Sequence, residues 1–282
     1  MIGGAKVQGA KVHRALVLGA LVLGALVLGA AAPLRAQALA DRLQASAPTA
    51  GVGWVGYRVP MVAGNHRVCC DGCRLEQHGD NVTVNNSRVV LEPPHELLVL
   101  ARFENRTLSR LRSFSPDCEI DASGTTLSWI ANVSGDESVA WLSSLVTRAP
   151  ASTSSRDRIL DSALAALAFE GGDRATNALI ALAKTNASTH VRSQSLFWLA
   201  QRAGQAALAT ITNAVDNDPE TEVKRRAVFA LSQMPADEGV PKLIEVARGN
   251  KNPEVRKQAF FWLGQSKDPR AVAFFEEVLL KK

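Results

Sequence analysis

Val255-Arg256-Lys257-Gln258-Ala259-Phe260-Phe261-Trp262-Leu263 is the last of four statements of one pattern, after Ile159 to Leu167, Val191 to Leu199 and Val223 to Leu231. The copies recur every 32 residues without a gap. Their apolar columns are Ile159/Val191/Val223/Val255, Ala163/Ser195/Ala227/Ala259, Leu164/Leu196/Val228/Phe260 and Leu167/Leu199/Leu231/Leu263. Steps of four, one and three residues keep these columns on one face of a helix with a 3.6-residue period. A second helix follows in the same register, with Leu179/Ile211/Leu243/Phe275 three residues ahead of Leu182/Ala214/Val246/Val278. Each unit therefore reads as two antiparallel helices, and the four units as a solenoid whose members bury their apolar faces against their neighbours. Asp218-Pro219, Asn252-Pro253 and Asp268-Pro269 each set a capping side chain before a proline at the first helical position, where a missing N–H costs nothing.

These residues resemble a known family. Asn252 to Gly264, followed by Asp268-Pro269-Arg270-Ala271, is similar to a HEAT repeat of the short bacterial kind, with Val-Arg, a small residue and Leu-Gly in place. The resemblance covers about residues 157 to 282. Unit one departs from it, having Leu160 where the Arg stands, which marks a capping unit. Trp198 and Trp262 replace the usual small residue, which implies wider helix spacing or a local groove. Tetratricopeptide and ankyrin signatures are absent.

The amino terminus reads as a targeting segment. Lys6, Lys11 and Arg14 form a basic start, three copies of Ala-Leu-Val-Leu-Gly span Ala15 to Gly29, and Ala36-Gln37-Ala38 offers a small-x-small cleavage site. The apolar run Ala15 to Ala32 is also long enough to span a membrane if the segment is retained, and it is the one expected route to membrane contact. Of the 32 Lys and Arg, four lie in this leader, leaving 28 against 27 Asp and Glu. From Asp157 onward there are 17 basic and 15 acidic residues, which is no footprint for nucleic acid. An exported protein, periplasmic or secreted, is the expectation.

Composition divides the remainder. The expected parts are a signal segment over 1–38, a small β-rich domain over 39–147, a linker over 148–156 and the solenoid over 157–282, giving an α+β chain. The β reading rests on Val82-Thr83-Val84, Arg88 to Leu91, Glu96 to Phe103 and Thr126 to Ile130, separated by Gly, Asn, Asp and Pro. Asp136 to Val146 reads as an amphipathic helix closing this domain. Gly51-Val52-Gly53-Trp54-Val55-Gly56 has dinucleotide-binding glycine spacing, but no strand precedes it and Tyr57 to Pro60 continues extended, so it reads as a glycine-punctuated first strand.

All four cysteines, Cys69, Cys70, Cys73 and Cys118, fall in the β-rich part. An oxidising compartment favours two disulfides; closure between Cys69 and Cys70 is strained, so Cys118 pairs with Cys69 or Cys70 and Cys73 takes the other. The rival is a metal or redox-sensing site, because His66 and His78 flank the cluster and thiolate plus imidazole suits zinc. Catalytic constellations are missing: there is no Gly-x-Ser-x-Gly elbow and the five histidines are scattered. Bilin lyases share the short repeat, which leaves a lyase acting on a hydrophobic ligand as a lesser alternative. HEAT-like hydroxylases bind iron through repeated His-Glu pairs, and only His95-Glu96 occurs, outside the solenoid. The aromatic stripe Phe197, Trp198, Phe229, Phe260, Phe261 and Trp262 reads first as core, since rings pack neighbouring units.

The expectation is thus a non-enzymatic scaffold, without cofactor or metal, that holds a protein partner on the concave face of the solenoid in the cell envelope. Taking the second helices as the inner row, the contact residues are Thr210, Asn213, Lys242, Glu245 and Glu277.

Overall fold

The computed structural model describes residues 37–64, 68–69, 75–76, 83–84, 95–122, 124–148, 155–202 and 204–280. The leader up to residue 36, most of the expected linker, and Cys70 and Cys73 lie outside the described residues. So does the expected strand Arg88 to Leu91.

Residues 37–46 are helical (α1) and bury Leu39, Leu43 and Ala47 at one face, four residues apart. Strand β1 (Val52–Pro60) then pairs antiparallel with β4 (Glu96–Glu104), β4 with β5 (Thr107–Phe114), and β1 runs parallel to the short edge strand β6 (Thr126–Trp129). The sheet order is β5-β4-β1-β6, beside a two-stranded ribbon of β2 (Val68–Cys69) and β3 (Thr83–Val84). A two-residue turn at Asn105 and Arg106, with φ of 48° and 66°, joins β4 to β5. That left-handed pair matches the twist of the flanking strands. Asn105 holds the turn to the start of β1, its N–H donating to the Gly51 carbonyl and its side-chain oxygen accepting from the Gly51 N–H, both at 2.9 Å.

Alternation assigns the two faces. Val55, Tyr57, Val59, Leu97, Val99, Ala101 and Leu111 face the helices, while Trp54, Leu98, Leu100 and Phe114 close a smaller cluster with Leu75 on the other side. Helix α2 (Gly135–Arg148) and helix α3 (Ser155–Phe169) cover the first face, so sheet and solenoid share one continuous core from Leu39 to Phe274. The chain ends of β1 and α3 are stitched together: the Val62 N–H donates to the Phe169 carbonyl at 2.8 Å, and the Gly171 N–H to the Pro60 carbonyl at 2.7 Å. A Cβ at Gly171 would stand 2.9 Å from the Met61 carbonyl oxygen, which is why this position admits no side chain.

The solenoid is four helix pairs: α3 with α4 (Asp173–Thr185), α5 (Thr189–Arg202) with α6 (Gln205–Asn217), α7 (Thr221–Gln233) with α8 (Ala236–Gly249), and α9 (Pro253–Gln265) with α10 (Pro269–Leu280). The periodic columns are the core, with Ala163, Ser195, Ala227 and Ala259 all at 0 % exposure. The joints between units repeat as well. Asn186, Asp218 and Asn250 each accept, through Oδ1, the N–H two residues on, at 2.9 to 3.0 Å. The basic column behind them pins the carbonyls that a helix end leaves unpaired: Arg192 reaches the Asn186 and Ala187 carbonyls, Lys224 that of Asp216, and Arg256 that of Asn250. Leu160 occupies this column in unit one, where no earlier unit presents carbonyls, and it is buried instead.

Two of the three expected proline starts hold. Asn252 caps α9 ahead of Pro253, and Asp268 accepts from the Arg270 N–H at the start of α10. Asp218 differs: it ends α6 and takes Arg192 in a two-point ion pair, Nε to Oδ2 at 2.8 Å and Nη2 to Oδ1 at 3.0 Å. Helix α7 starts three residues later, at Thr221.

With side chains only 9 % and 6 % exposed, Arg192 and Asp218 are each other's compensation. Asp218→Ala leaves the guanidinium uncompensated and is expected to cost about 3–5 kcal/mol. Asp218→Asn keeps the turn that Asn250 makes in the next unit but not the charge, and is expected to cost less. Urea unfolding midpoints with unchanged slopes would check both, and an Asp218→Ala protein as stable as the wild type would refute the assignment.

Candidate functional site

The first helices of successive units pack on one another more closely than the second helices do, α5 against α7 and α7 against α9 above all. Alanine and serine at the contact permit that approach. The first-helix row is therefore the more tightly packed of the two. The outer surface of this row is aromatic. Phe197 stands two residues from Ser195, roughly 200° around the helix, and so points away from the core column. Its ring lies parallel to that of Phe229, with centroids 6.0 Å apart and planes 2° from coplanar. The file runs on through Phe229 to Trp262 and Trp262 to Phe261, each 4.9 Å apart, and in the other direction through Trp198 to Phe169, at 5.0 and 5.6 Å.

None of the six aromatics expected as core is fully buried; five are half-buried and Phe261 is 53 % exposed. Trp198, Phe260 and Trp262 pack against the core that the leucine and alanine columns fill, while Phe197, Phe229 and Phe261 line the surface. Between α5 and α7, Phe197 and Phe229 floor an open groove of about 430 Å³, with Thr189, Ser193, Gln194 and Arg226 on its sides.

The contact residues expected from the sequence lie on the other row. Thr210 is buried at 4 % exposure and its hydroxyl donates to the Ala206 carbonyl at 2.9 Å, so it presents nothing outward. Asn213 is exposed and accepts from Asn217 at 2.8 Å. Lys242 and Glu245 pair with each other at 2.7 Å, one turn apart, and Glu277 pairs with Arg248 of the preceding unit. These residues are dispersed over α6, α8 and α10 and occupied locally. Register located both rows, and the small column Ala163/Ser195/Ala227/Ala259 marks the row whose helices approach each other more closely.

A buried polar cluster lies where the sheet meets the solenoid. Glu170, at 0 % exposure, accepts from the Ser138 hydroxyl at 3.0 Å, and Ser138 in turn contacts the Tyr57 hydroxyl at 2.9 Å. The second oxygen of Glu170 has no hydrogen-bond partner among the described residues. Burial pushes the Glu170 carboxyl up to about 8, against the pull of the Ser138 hydrogen bond and the Arg202 charge, and burial likewise raises Tyr57. Arg202 lies beside them and donates to the carbonyls of Leu167, Ala168, Glu170 and Gly172. Tyr57, Ser138 and Glu170 are all fully buried, which gives a substrate no access and makes the cluster structural.

Cys69 is bonded to Cys118, one of the two expected pairings, and ties β2 to the chain beyond β5. Asp117 stands close to both sulfurs, but a disulfide offers no thiolate, so this trio leaves one carboxylate as a donor. His66, Cys70, Cys73 and His78 lie outside the described residues. Among the described residues no helix is long and apolar enough to cross a membrane.

Residues 208–282 match the family described as HEAT repeats. The C-terminal run of helices is a HEAT-repeat array, and its 32-residue period extends upstream of the matched segment into unit one. No curated protein matches the chain. HEAT repeats are typically non-enzymatic and suggest a helical protein-interaction scaffold.

Glu170 also yields a pH signature. Its folded-state value is raised from 4.5 to about 8, so the neutral form favours folding. That stability is fully present below about 4.5 and is lost as pH rises through about 8, a fall on the order of a few kcal/mol. Glu170→Gln keeps the shape without the titration and should flatten the thermal midpoint across this window. Equal pH slopes for wild type and variant would show that Glu170 does not carry the effect.

Proposed function

We propose that this chain is a non-catalytic scaffold of the cell envelope, exported through its amino-terminal leader, that holds a protein partner along the row of first helices. In this reading the sheet with α1 and α2 forms one end of the scaffold and residues 157–282 the binding array. The observation that carries it is the aromatic file from Trp198 to Phe261, which runs across three successive units at the surface. Apolar rings aligned over several units, rimmed by polar side chains, are what a protein interface requires at its centre. The second-helix row lacks this, since its polar residues pair among themselves.

Affinity capture from an envelope fraction tests the assignment with two variants whose helicity is first verified. Arg226→Glu with Phe261→Ser alters the first-helix row and is expected to lose the partner held by the wild type. Asn213→Arg with Glu245→Lys alters the second-helix row and is expected to retain it. The opposite outcome would move the binding face to the second helices, and retention by both would remove it from the solenoid.

A further inference from the structure

Columns of unlike chemistry cross α5, α7 and α9 side by side at the 32-residue spacing. The middle one is Phe197, Phe229 and Phe261. Toward the helix starts stand Ser193, Arg225 and Lys257, with Gln194, Arg226 and Gln258 beside them; toward the helix ends stand Gln201, Gln233 and Gln265, all exposed. The face therefore has an aromatic floor, a cationic wall and an amide wall.

The charges on the cationic wall do not cancel. Arg225 and Arg226 share a single carboxylate, Glu222, at 3.1 Å each, and Lys257 has no ion pair among the described residues. Glu254, one turn before Lys257, pairs with neither Lys257 nor Arg256. Three cations against two carboxylates leave a net positive edge beside apolar rings.

We infer that this row accommodates an extended, acidic protein segment in which apolar side chains alternate with carboxylates. The inference rests on the first-helix row being the binding face. Apolar side chains of such a segment sit on the rings, its carboxylates meet Arg225, Arg226 and Lys257, and its backbone meets the glutamines, whose amides both donate and accept. A helical partner would spend its backbone groups on itself and leave the glutamine column unused. The ring step of 6.0 Å from Phe197 to Phe229 is near the roughly 6.6 Å between same-face residues of a strand.

Selection of displayed random short peptides on the protein tests this, with two variants run in parallel after a check of helicity and thermal midpoint. Enriched peptides are expected to alternate Asp or Glu with apolar residues. Individual synthetic copies should weaken about tenfold on Arg225→Glu with Lys257→Glu, and should weaken with added salt. Enrichment of basic or uncharged peptides, or indifference to charge reversal, overturns the inference and leaves the row as the binding face. Enrichment no greater on the wild type than on Phe229→Ser with Phe261→Ser overturns the inference and the binding row together.

Discussion

Everything in the helical half depends on how one unit ends and the next begins. A helix leaves its last carbonyls unpaired, and a solenoid places such an end inside every joint, where water does not fully compensate it. The basic column Arg192, Lys224 and Arg256 resolves this by reaching back to the preceding carbonyls. Cations are also the favoured charge at a helix C-terminus. At the first joint the demand is greatest: Arg192 is itself buried, so it needs a counter-charge, and Asp218 supplies it from the next loop while closing its own turn on Glu220. One aspartate thus fixes the end of α6, the entry to α7 and the charge of α5.

The same requirement explains the asymmetry of the two ends. Unit one has no preceding repeat, and Leu160 replaces the cation because the neighbour is an apolar surface of sheet and α2. A solenoid needs its terminal units covered, and here a four-stranded sheet does what a modified repeat does elsewhere. The cover is fastened by hydrogen bonds between the β1 and α3 ends and by Arg202, which collects the α3 terminal carbonyls. Glu170, buried at that seam with one oxygen unsatisfied, is the tension in the design. It is tolerated because a carboxyl with a raised pKa enters the core neutral.

The solenoid was legible because its information is periodic: four columns in one register define helices, pairs and core together. Within the sheet, β4 and β6 were legible from β-branched and aromatic runs. Strand β5, Thr107 to Phe114, was missed, since Arg110 and Arg112 alternate with modest apolar residues and only pairing with β4 makes the strand plain. Helix α1 was missed because its Leu39 and Leu43 directly follow the apolar leader, which masks a two-turn pattern. Asp218-Pro219 looked like a helix start, and local capping chemistry is the same at either end of a short loop; the tertiary partner Arg192 decides it. The six aromatics read first as core because rings pack neighbouring units, which holds for Trp198, Phe260 and Trp262. For Phe197, Phe229 and Phe261 the angle from the small column, available from the sequence, pointed outward.

That angle bears on why the rings are there at all. The units are already filled by leucine, valine and alanine at or near 0 % exposure, so Phe197, Phe229 and Phe261 are not required to close the core. Isolated apolar side chains on a surface are ordinary, but rings repeated at one position across three units form a continuous strip, and such strips carry a solubility cost. The strip also sits on the row where backbones approach most closely, so neighbouring rings touch and are held in place. Rings fixed in that way lose little further side-chain freedom when a partner covers them, which lowers the entropic cost of association. The second-helix row, more widely spaced and internally paired, gathers its rings Phe274 and Phe275 in α10 and, among the described residues, offers no continuous apolar strip across units.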